Sequence, residues 1–306
     1  MNTVRDTMVG EDLVVVGAGP AGMTAGMFGV RSGLKTLVLE KGISGGLSNE
    51  APEIENYPGF NRVGGMELAS KIKDHVSRYV EIRELEKVEM IEVSSNELVV
   101  SSDKNSYHTR AVVMSTGTRH RRLGAKGEAE FLGRGVSYCA TCDGFFFKNK
   151  PVAVVGGGDS AVREALYLRN LGCMVTLIHR RDKLRAERYL QQKLEDAGVI
   201  ICWNSAVKEI KGDKSLKSVI LDSKGVESEL PIAGLFISVG EEPNSELAAK
   251  MGVALDANGY IITDRSQRTN LKRVYAAGDV TGGVRQVVVA CAEGAVAALS
   301  AYNDLL

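Results

Sequence analysis

Cys139-Ala140-Thr141-Cys142-Asp143-Gly144 is the stretch of this sequence with the most chemistry in it. Two cysteines separated by two residues can close a small disulfide or present two reactive thiols on one turn. The same spacing is also half of a zinc site, which needs a second close-spaced pair to complete a tetrahedron. Cys173, Cys202 and Cys291 are isolated, and the four histidines form no HxxxH-type pair, so the spacing favours redox thiols over a structural metal. Asp143-Gly144 is a frequent turn dipeptide, which leaves Asp143 with either a turn role or an acid–base role. Position adds to the redox reading: Gly156, shortly after Cys142, opens a glycine motif of the dinucleotide-binding type.

Two such glycine turns must position that chemistry. Residues 13–16 are a short apolar run feeding Gly17-Ala18-Gly19-Pro20-Ala21-Gly22, which predicts a buried parallel strand, a tight turn and a helix to about residue 32. Gly17 permits the turn, Gly19 lets the backbone approach a pyrophosphate, and Gly22 lets helix and strand pack closely. The helix start supplies free N–H groups and partial positive charge for phosphates. Residues 35–39 predict a second strand delivering Glu40, an acid placed to accept hydrogen bonds from an adenosine ribose.

The plan then repeats. Residues 152–155 predict a strand, Gly156-Gly157-Gly158-Asp159-Ser160-Ala161 a GxGxxA turn, residues 160–170 a helix and residues 174–178 the next strand. Where Glu40 stood in the first unit, the second has His179, followed by Arg180, Arg181 and Arg185. A carboxylate there would repel a 2′-phosphate, whereas arginines offer it paired, charge-assisted hydrogen bonds. The first site therefore suits FAD or NAD, and the second NADP(H).

The remaining segments frame these units. Residues 42–60, rich in Gly, Asn and Pro, are expected as a long functional loop without regular structure. Residues 66–79 have helical spacing, residues 81–93 and 97–102 alternate like small antiparallel strands, and residues 111–114 predict a buried strand leading to Ser115-Thr116-Gly117. Arg119-His120-Arg121-Arg122 is a basic stretch at an expected domain crossing, equally readable as a solvated linker. Residues 206–211, 218–222 and 235–239 are expected to form a small sheet closing the second unit, and residues 240–244 a crossing back. An Asn258-Gly259 hairpin signal follows. Residues 274–277 predict a strand entering Gly278-Asp279-Val280, and a helix runs over about residues 286–302. An Asp at a strand end can bind a cofactor hydroxyl, and a helix start can stabilise negative charge on a reduced flavin. The expected fold class is α/β: two Rossmann-like dinucleotide-binding domains, the NADPH domain (122–245) inserted into a split FAD domain (1–121 and 246–306).

Composition fits this plan. A length of 306 residues favours two domains, and 44% hydrophobic with 25% charged residues is ordinary for a soluble protein. Lys+Arg and Asp+Glu balance at 38 each, so no global field points to nucleic acid or membrane. Five cysteines do not make an extracellular disulfide framework. Residues 1–12 lack the apolar core of a signal peptide and are expected as a tail. The most apolar late segment, residues 287–299, is interrupted by Glu293 and too short to span a bilayer. The expectation is a soluble, cytoplasmic protein.

These motifs closely resemble those of the low-molecular-weight thioredoxin reductases, over about residues 12–298. The most specific piece is Cys139-Ala-Thr-Cys-Asp-Gly-Phe-Phe146, followed by the GGGxSA motif and His179-Arg-Arg-x-x-x-Arg-Ala186; Glu55-Asn56-Tyr57-Pro58-Gly59, Gly278-Asp279 and Arg285-Gln286 also match. The resemblance implies an NADPH-dependent thioredoxin-disulfide reductase, a homodimer with non-covalently held FAD. In it Cys142 faces the flavin, Cys139 attacks the thioredoxin disulfide, and Asp143 is the nearby acid–base group. FAD contacts are implied at Gly17, Gly19, Pro20, Ala21, Gly22, Glu40, Lys41, Gly46, Leu47, Asn56, Val88, Thr116, Gly117, Gly278, Asp279, Arg285, Gln286 and Val287. NADPH contacts are implied at Gly157, Gly158, Asp159, Ser160, His179, Arg180, Arg181 and Arg185. Disulfide and nicotinamide site then ride on one domain and the flavin on the other, so the two are expected to take turns at the flavin by domain rotation.

One departure stands out. Leu47 follows Gly45-Gly46 where the bacterial pattern commonly has Gln, which alters the hydrogen bonding expected around the isoalloxazine. The larger reductase type, with its C-terminal cysteine or selenocysteine tail, is not expected from this sequence. Competing readings are a flavoprotein feeding a glutaredoxin-like or peroxidase-linked thiol carrier, a ferredoxin–NADP reductase of similar fold, and a redox sensor. A ferredoxin–NADP reductase has no use for the cysteine pair, and a sensor is expected to carry a signalling module that this sequence does not show.

Overall fold

The computed structural model describes residues 9–51, 54–94 and 97–306, save for the side chains of Val9 and Cys142. The chain divides into two units, one made of residues up to Arg119 together with Glu242–Leu306, the other of His120–Glu241.

The first unit starts with β1 (Val9–Val16), α1 (Pro20–Arg31) and β2 (Thr36–Leu39). Leu13, Val14, Val15 and all of β2 are buried, as befits parallel strands covered on both faces. Pro20 opens α1, where its missing N–H is no loss. Then come α2 (Gly65–Val76), β3 (Glu81–Arg83), β4 (Val88–Val93), β5 (Leu98–Ser102), β6 (Ser106–Met114) and the short β7 (Thr118–His120). The sheet runs β3-β2-β1-β6-β5-β4. β1 lies parallel to both β2 and β6, with Val16 opposite Leu39 on one side and Met114 on the other.

Three sequence expectations change here. The tail expected over residues 1–12 falls partly outside the described residues, but residues 9–12 are the first half of β1, paired with Tyr107, His108 and Thr109 of β6. Glu11 and Asp12, both charged, hide the strand from a hydrophobicity pattern. The loop expected at residues 42–60 contains a 3₁₀ turn, Gly46–Glu50, entered through Gly45 at φ +118°. Residues 81–93 are not one antiparallel strand: β3 is parallel to β2, while β4 pairs antiparallel with β5. Residues 81–83 are too few to show an alternation, and pairing to β2 decides their direction.

The second unit begins with α3 (Glu128–Phe131), β8 (Val136–Ser137) and α4 (Ala140–Asp143). It continues with β9 (Pro151–Gly156), α5 (Asp159–Asn170), β10 (Met174–Ile178), α6 (Arg188–Asp196) and β11 (Ile200–Cys202). Its last strands are β12 (Ser205–Gly212), β13 (Leu216–Ser223), β14 (Val226–Pro231) and β15 (Gly234–Ser238). A five-stranded parallel sheet runs β11-β10-β9-β15-β8, and β12, β13 and β14 form a separate antiparallel sheet. Val152, Val154, Leu177 and Phe236 pack on Ala161, Ala165 and Leu168 of α5. On the other face Val155, Ile178, Leu235 and Ile237 meet Val207, Val219 and Leu221 of the antiparallel sheet.

Residues 235–239 were expected in the small sheet; instead β15 sits in the parallel one, and β14 takes the vacated place. The run Gly234-Leu-Phe-Ile is buried throughout, the mark of a central parallel strand. β14 is almost wholly exposed and has no apolar periodicity to reveal it. Its hairpin is set by Lys224 and Gly225, both at positive φ (56° and 90°), the geometry of a two-residue turn.

The chain then returns to the first unit with β16 (Glu241–Pro243), which pairs with β7, followed by α7 (Glu246–Lys250), β17 (Val274–Ala276) and α8 (Val287–Leu305). β17 lies parallel to β6, with Ala276 opposite Met114. α8 packs on α1 so closely that a Cβ on Gly294 would stand 2.1 Å from the Ala21 carbonyl oxygen. Ala297, Ala298 and Ala301 share a core with Ala21, Ala25 and Tyr275.

Candidate functional site

The glycine turn after β1 is built for a ligand's close approach. Gly17 has φ +103°, and a Cβ there would lie 2.4 Å from the Ser115 carbonyl oxygen; at Gly22 it would lie 1.8 Å from the Gly17 oxygen. Gly19 has nothing within 4 Å of its Cβ position and caps α1 with no side-chain hydrogen bond, which leaves the first amides of the helix for another acceptor. Glu40 leaves β2 with its carboxylate held beside the turn, Oε2 accepting from the Ala18 amide (2.7 Å) and Oε1 from the Gly42 amide (2.8 Å). Lys41 is exposed. The Gly45 amide donates to the Ala18 carbonyl (2.8 Å), which brings the 3₁₀ turn carrying Gly46 and half-buried Leu47 against the same loop.

The returning segment meets this cradle. Asn56 Nδ2 donates to Gln286 Oε1 at 2.8 Å. Gln286 is the residue before α8, and Val287, the first of the helix, packs on the cluster of Ile54, Val63 and Leu68. Gly278 (φ +81°) leads into the 3₁₀ turn Asp279–Thr281. The turn is tied down by Glu293 of α8, whose Oε2 accepts from the Gly278 amide (2.7 Å) and the Thr281 hydroxyl (3.3 Å). Burial pushes the Glu293 carboxyl above its ordinary range, against the pull of those two donors. Arg285 is exposed. Thr116 donates through Oγ1 to the Asn244 carbonyl (2.7 Å), and the Asn244 amide donates to the Gly117 carbonyl (2.9 Å). Val88 is half-buried against the core that includes Val14, Leu37 and Val280.

In the second unit Cys139 is disulfide-bonded and Cys173 and Cys202 are free thiols, as is Cys291 in α8 of the first unit. The side chain of Cys142 lies outside the described residues. Cys139 enters α4 with its amide donating to Ser137 Oγ (3.0 Å) and its carbonyl accepting from the Asp143 amide (3.2 Å), so the CATC segment is one closed turn. Gly144 packs closely on α5: a Cβ there would lie 2.8 Å from Leu168 Cδ2, so the leucine side chain would have to shift. Phe145 and Phe146 follow with 68% and 69% of their surface exposed. Just upstream, buried Glu128 accepts from the Leu123 amide (2.9 Å), the Gly124 amide (2.7 Å) and the Tyr138 hydroxyl. Burial and that carboxylate raise the Tyr138 hydroxyl well above its usual range.

The second glycine turn repeats the first with a basic rim. Gly158 caps α5 without a side-chain hydrogen bond and has open space at its Cβ; Asp159 begins the helix and accepts from the Glu187 amide (2.8 Å), and Ser160 is exposed. Gly157 leaves room for the His179 ring, which would stand 2.2 Å from a Cβ there. Nδ1 of His179 lies 2.8 Å from the Gly156 carbonyl and Nε2 lies 3.0 Å from that of Lys183. His179 is thus spent on shaping the turn, while Arg180, Arg181 and Arg185 are exposed. The amides of Arg185 and Ala186 both donate to the Gly157 carbonyl (2.7 and 3.2 Å), tying the arginine loop to the phosphate turn.

Of the residues expected to hold FAD, those at 17–22, Glu40, Lys41, Thr116, Gly117, Gly278 and Asp279 follow the C-terminal ends of β1, β2, β6 and β17, whereas Val88 begins β4. Those expected to hold NADPH follow the C-terminal ends of β9 and β10 in the second unit. Glu128, Tyr138 and Glu293 were missed by sequence reasoning. The one available signal was Glu293, the carboxylate that interrupts the apolar run of residues 287–299.

Comparison with known proteins follows the same lines. Residues 11–294 match the model of the family described as pyridine nucleotide-disulphide oxidoreductase. A thioredoxin reductase from Listeria innocua is 45% identical over 298 residues, covering 95% of this chain and 93% of that protein. The crystal structure of T. acidophilum thioredoxin reductase superposes with a TM-score of 0.92 at 40% identity, covering 96% of this chain and 98% of the other. The crystal structure of Lactococcus lactis thioredoxin reductase also gives 0.92, at 42% identity, covering 96% and 99%.

Proposed function

This chain belongs to the pyridine nucleotide-disulphide oxidoreductase family, among its low-molecular-weight thioredoxin reductases, and on that footing we propose that it passes electrons from NADPH through FAD and the Cys139/Cys142 disulfide to oxidised thioredoxin. The observation that carries this reading is the disulfide-bonded Cys139 in the same unit as a glycine turn rimmed by arginines where a ribose-binding acid would otherwise stand. Both cradles fit their groups: each has a helix start with uncapped amides and a glycine open to close approach, Gly19 for FAD and Gly158 for NADPH.

FAD, when bound, supplies a two-electron carrier between a hydride donor and a disulfide. The residues of the chain bind and orient it: the α1 amides take the pyrophosphate, Glu40 the adenosine ribose, and Asn56, Asp279 and Gln286 the ring-bearing half. Two electrons and two protons open the Cys139–Cys142 bond. The Cys139 thiolate then attacks one sulfur of the thioredoxin disulfide, and the other thioredoxin sulfur leaves as a thiolate. Cys142 next displaces the thioredoxin from Cys139, which reforms the S–S bond and releases the second thiol. Asp143 holds and returns the proton that these thiolates exchange with solvent. Exposed Phe145 and Phe146 offer the incoming protein an apolar landing beside the pair. Because the disulfide and the nucleotide turn belong to one unit, they take turns at the flavin by rotation of that unit. The assembly proposed is a homodimer. Among the described residues no helix is long and apolar enough to cross a membrane.

The test is a paired measurement on purified Cys139→Ser protein. NADPH should still bleach its flavin absorbance, and thioredoxin reduction should be abolished. Reductase activity surviving the substitution would sink the thiol assignment; a purified wild type without flavin would sink the whole reading.

A further inference from the structure

Arginines account for a phosphate, but an adenosine also brings a flat purine that must be taken out of water. We propose that Trp203 is the platform on which the adenine of the nicotinamide nucleotide stacks; this deepens the reading above and rests on it.

The argument begins with register. β10 and β11 are parallel neighbours with Ile178 opposite Cys202, so His179 and Trp203 leave the sheet side by side. Their rings meet edge to face, with centroids 6.2 Å apart and planes at 79°. Backbone hydrogen bonds lace the two strand ends together: His179 amide to Cys202 carbonyl (2.9 Å), Ser205 amide to His179 carbonyl (3.0 Å), and Asn204 amide to Arg181 carbonyl (3.2 Å). Asn204 turns the chain at φ +52°, and Ser205 Oγ donates to the Trp203 carbonyl (2.8 Å). The backbone that carries the indole is thus held against the segment of Arg180 and Arg181, and the indole itself meets the His179 ring.

The same contacts link it to the phosphate turn. The His179 ring fills the space left by Gly157 on one side and touches Trp203 on the other. In this fold the nucleotide's pyrophosphate lies on the glycine turn, and its adenosine extends toward the end of the second strand. Here that strand is β10, and the aromatic waiting beside its end is Trp203. Trp203 keeps 39% of its surface exposed, an indole with area still to bury. Stacking a base on an aromatic side chain is sequence-tolerant chemistry that every purine can use.

The chain contains a single tryptophan, so its indole emission reports on this residue alone. In the holoenzyme, 2′,5′-ADP, which carries adenine and the 2′-phosphate but no nicotinamide, should change the Trp203 emission as it binds. Trp203→Leu, which keeps apolar bulk and removes the π face, should weaken 2′,5′-ADP by about tenfold in calorimetric titration. Trp203→Phe should recover most of the loss. KM for NADPH and for NADH should rise by a common factor, since the base is shared; loss of a phosphate contact would instead be selective for NADPH. Wild-type affinity for 2′,5′-ADP in the Leu variant overturns the proposal, as does a KM rise confined to NADPH. Failure of the wild type to bind 2′,5′-ADP at all removes the nucleotide assignment of this unit, and the proposal with it.

Discussion

Asn56 and Gln286 stand 230 positions apart and share a hydrogen bond of 2.8 Å. One belongs to the loop after the 3₁₀ turn Gly46–Glu50, the other to the residue before α8, so the contact joins the two separated halves of the flavin-side unit. A neutral hydrogen bond of this kind contributes about 0.5–1.5 kcal/mol. Asn56→Ala and Gln286→Ala should each lower FAD retention by up to about tenfold, and the double variant should lose less than the sum because the partners are in contact. The flavin-to-protein absorbance ratio after dialysis measures this; full retention in the double variant would contradict it.

Gly294→Ala should be more damaging than a single methyl suggests. Its Cβ would stand 2.1 Å from the Ala21 carbonyl oxygen and 2.9 Å from the Ala21 carbonyl carbon, and neither backbone atom can rotate away. α1 and α8 must separate, at a cost of about 1–3 kcal/mol for overpacking. Since Ala21 lies in the first turn of α1, the amides of the cradle shift with it. Thermal unfolding should show a lowered Tm together with weakened FAD binding; an unchanged Tm would mean the helices are not in close contact.

Arg180→Ala combined with Arg181→Ala should raise KM for NADPH far more than KM for NADH. One or two charged hydrogen bonds, each about 1.5–3 kcal/mol, disappear only for the donor bearing the phosphate. Steady-state kinetics with both donors decides it, and an equal rise for the two would remove the 2′-phosphate assignment.

Glu293 predicts a pH dependence of stability with a definite sign. Burial raises its folded-state pKa above the ordinary 4.5, so the folded protein holds this proton more tightly than the unfolded chain. The stabilising effect is complete below that ordinary value and is lost as pH rises through the raised one. Glu293→Gln keeps an acceptor oxygen for Gly278 and Thr281 but cannot ionise. The Tm of the wild type relative to this variant should therefore fall as pH rises from below the ordinary 4.5 into the range above it. A constant difference across that range would show that the carboxyl does not titrate there.

Both glycine turns, their strands and their helices were legible because each depends on local chemistry: Gly17 and Gly22 have no room for a Cβ, and residues 13–16 and 152–155 are apolar without interruption. What stayed hidden depends on contacts distant in sequence. β14 is an exposed edge strand with no pattern, and β3 takes its direction from β2. His179 looks like one more cation beside Arg180, yet a missing Cβ at Gly157, far upstream, draws it inside. Glu128 and Tyr138 carry no motif at all, and only the fold brings them together beside Cys139.

The pairing of β17 with β6, and of α8 with α1, sets an order on synthesis. As the chain leaves the ribosome, His120–Glu241 has every strand of its own parallel sheet before Val274–Ala276 exists. The older half of the flavin-side unit must wait meanwhile, with the apolar flank of Pro20–Arg31 uncovered until Val287–Leu305 arrives. Cofactor loading is therefore a late event, and a nascent chain stalled before its final helix would expose that flank to chaperones while its inserted half was already closed.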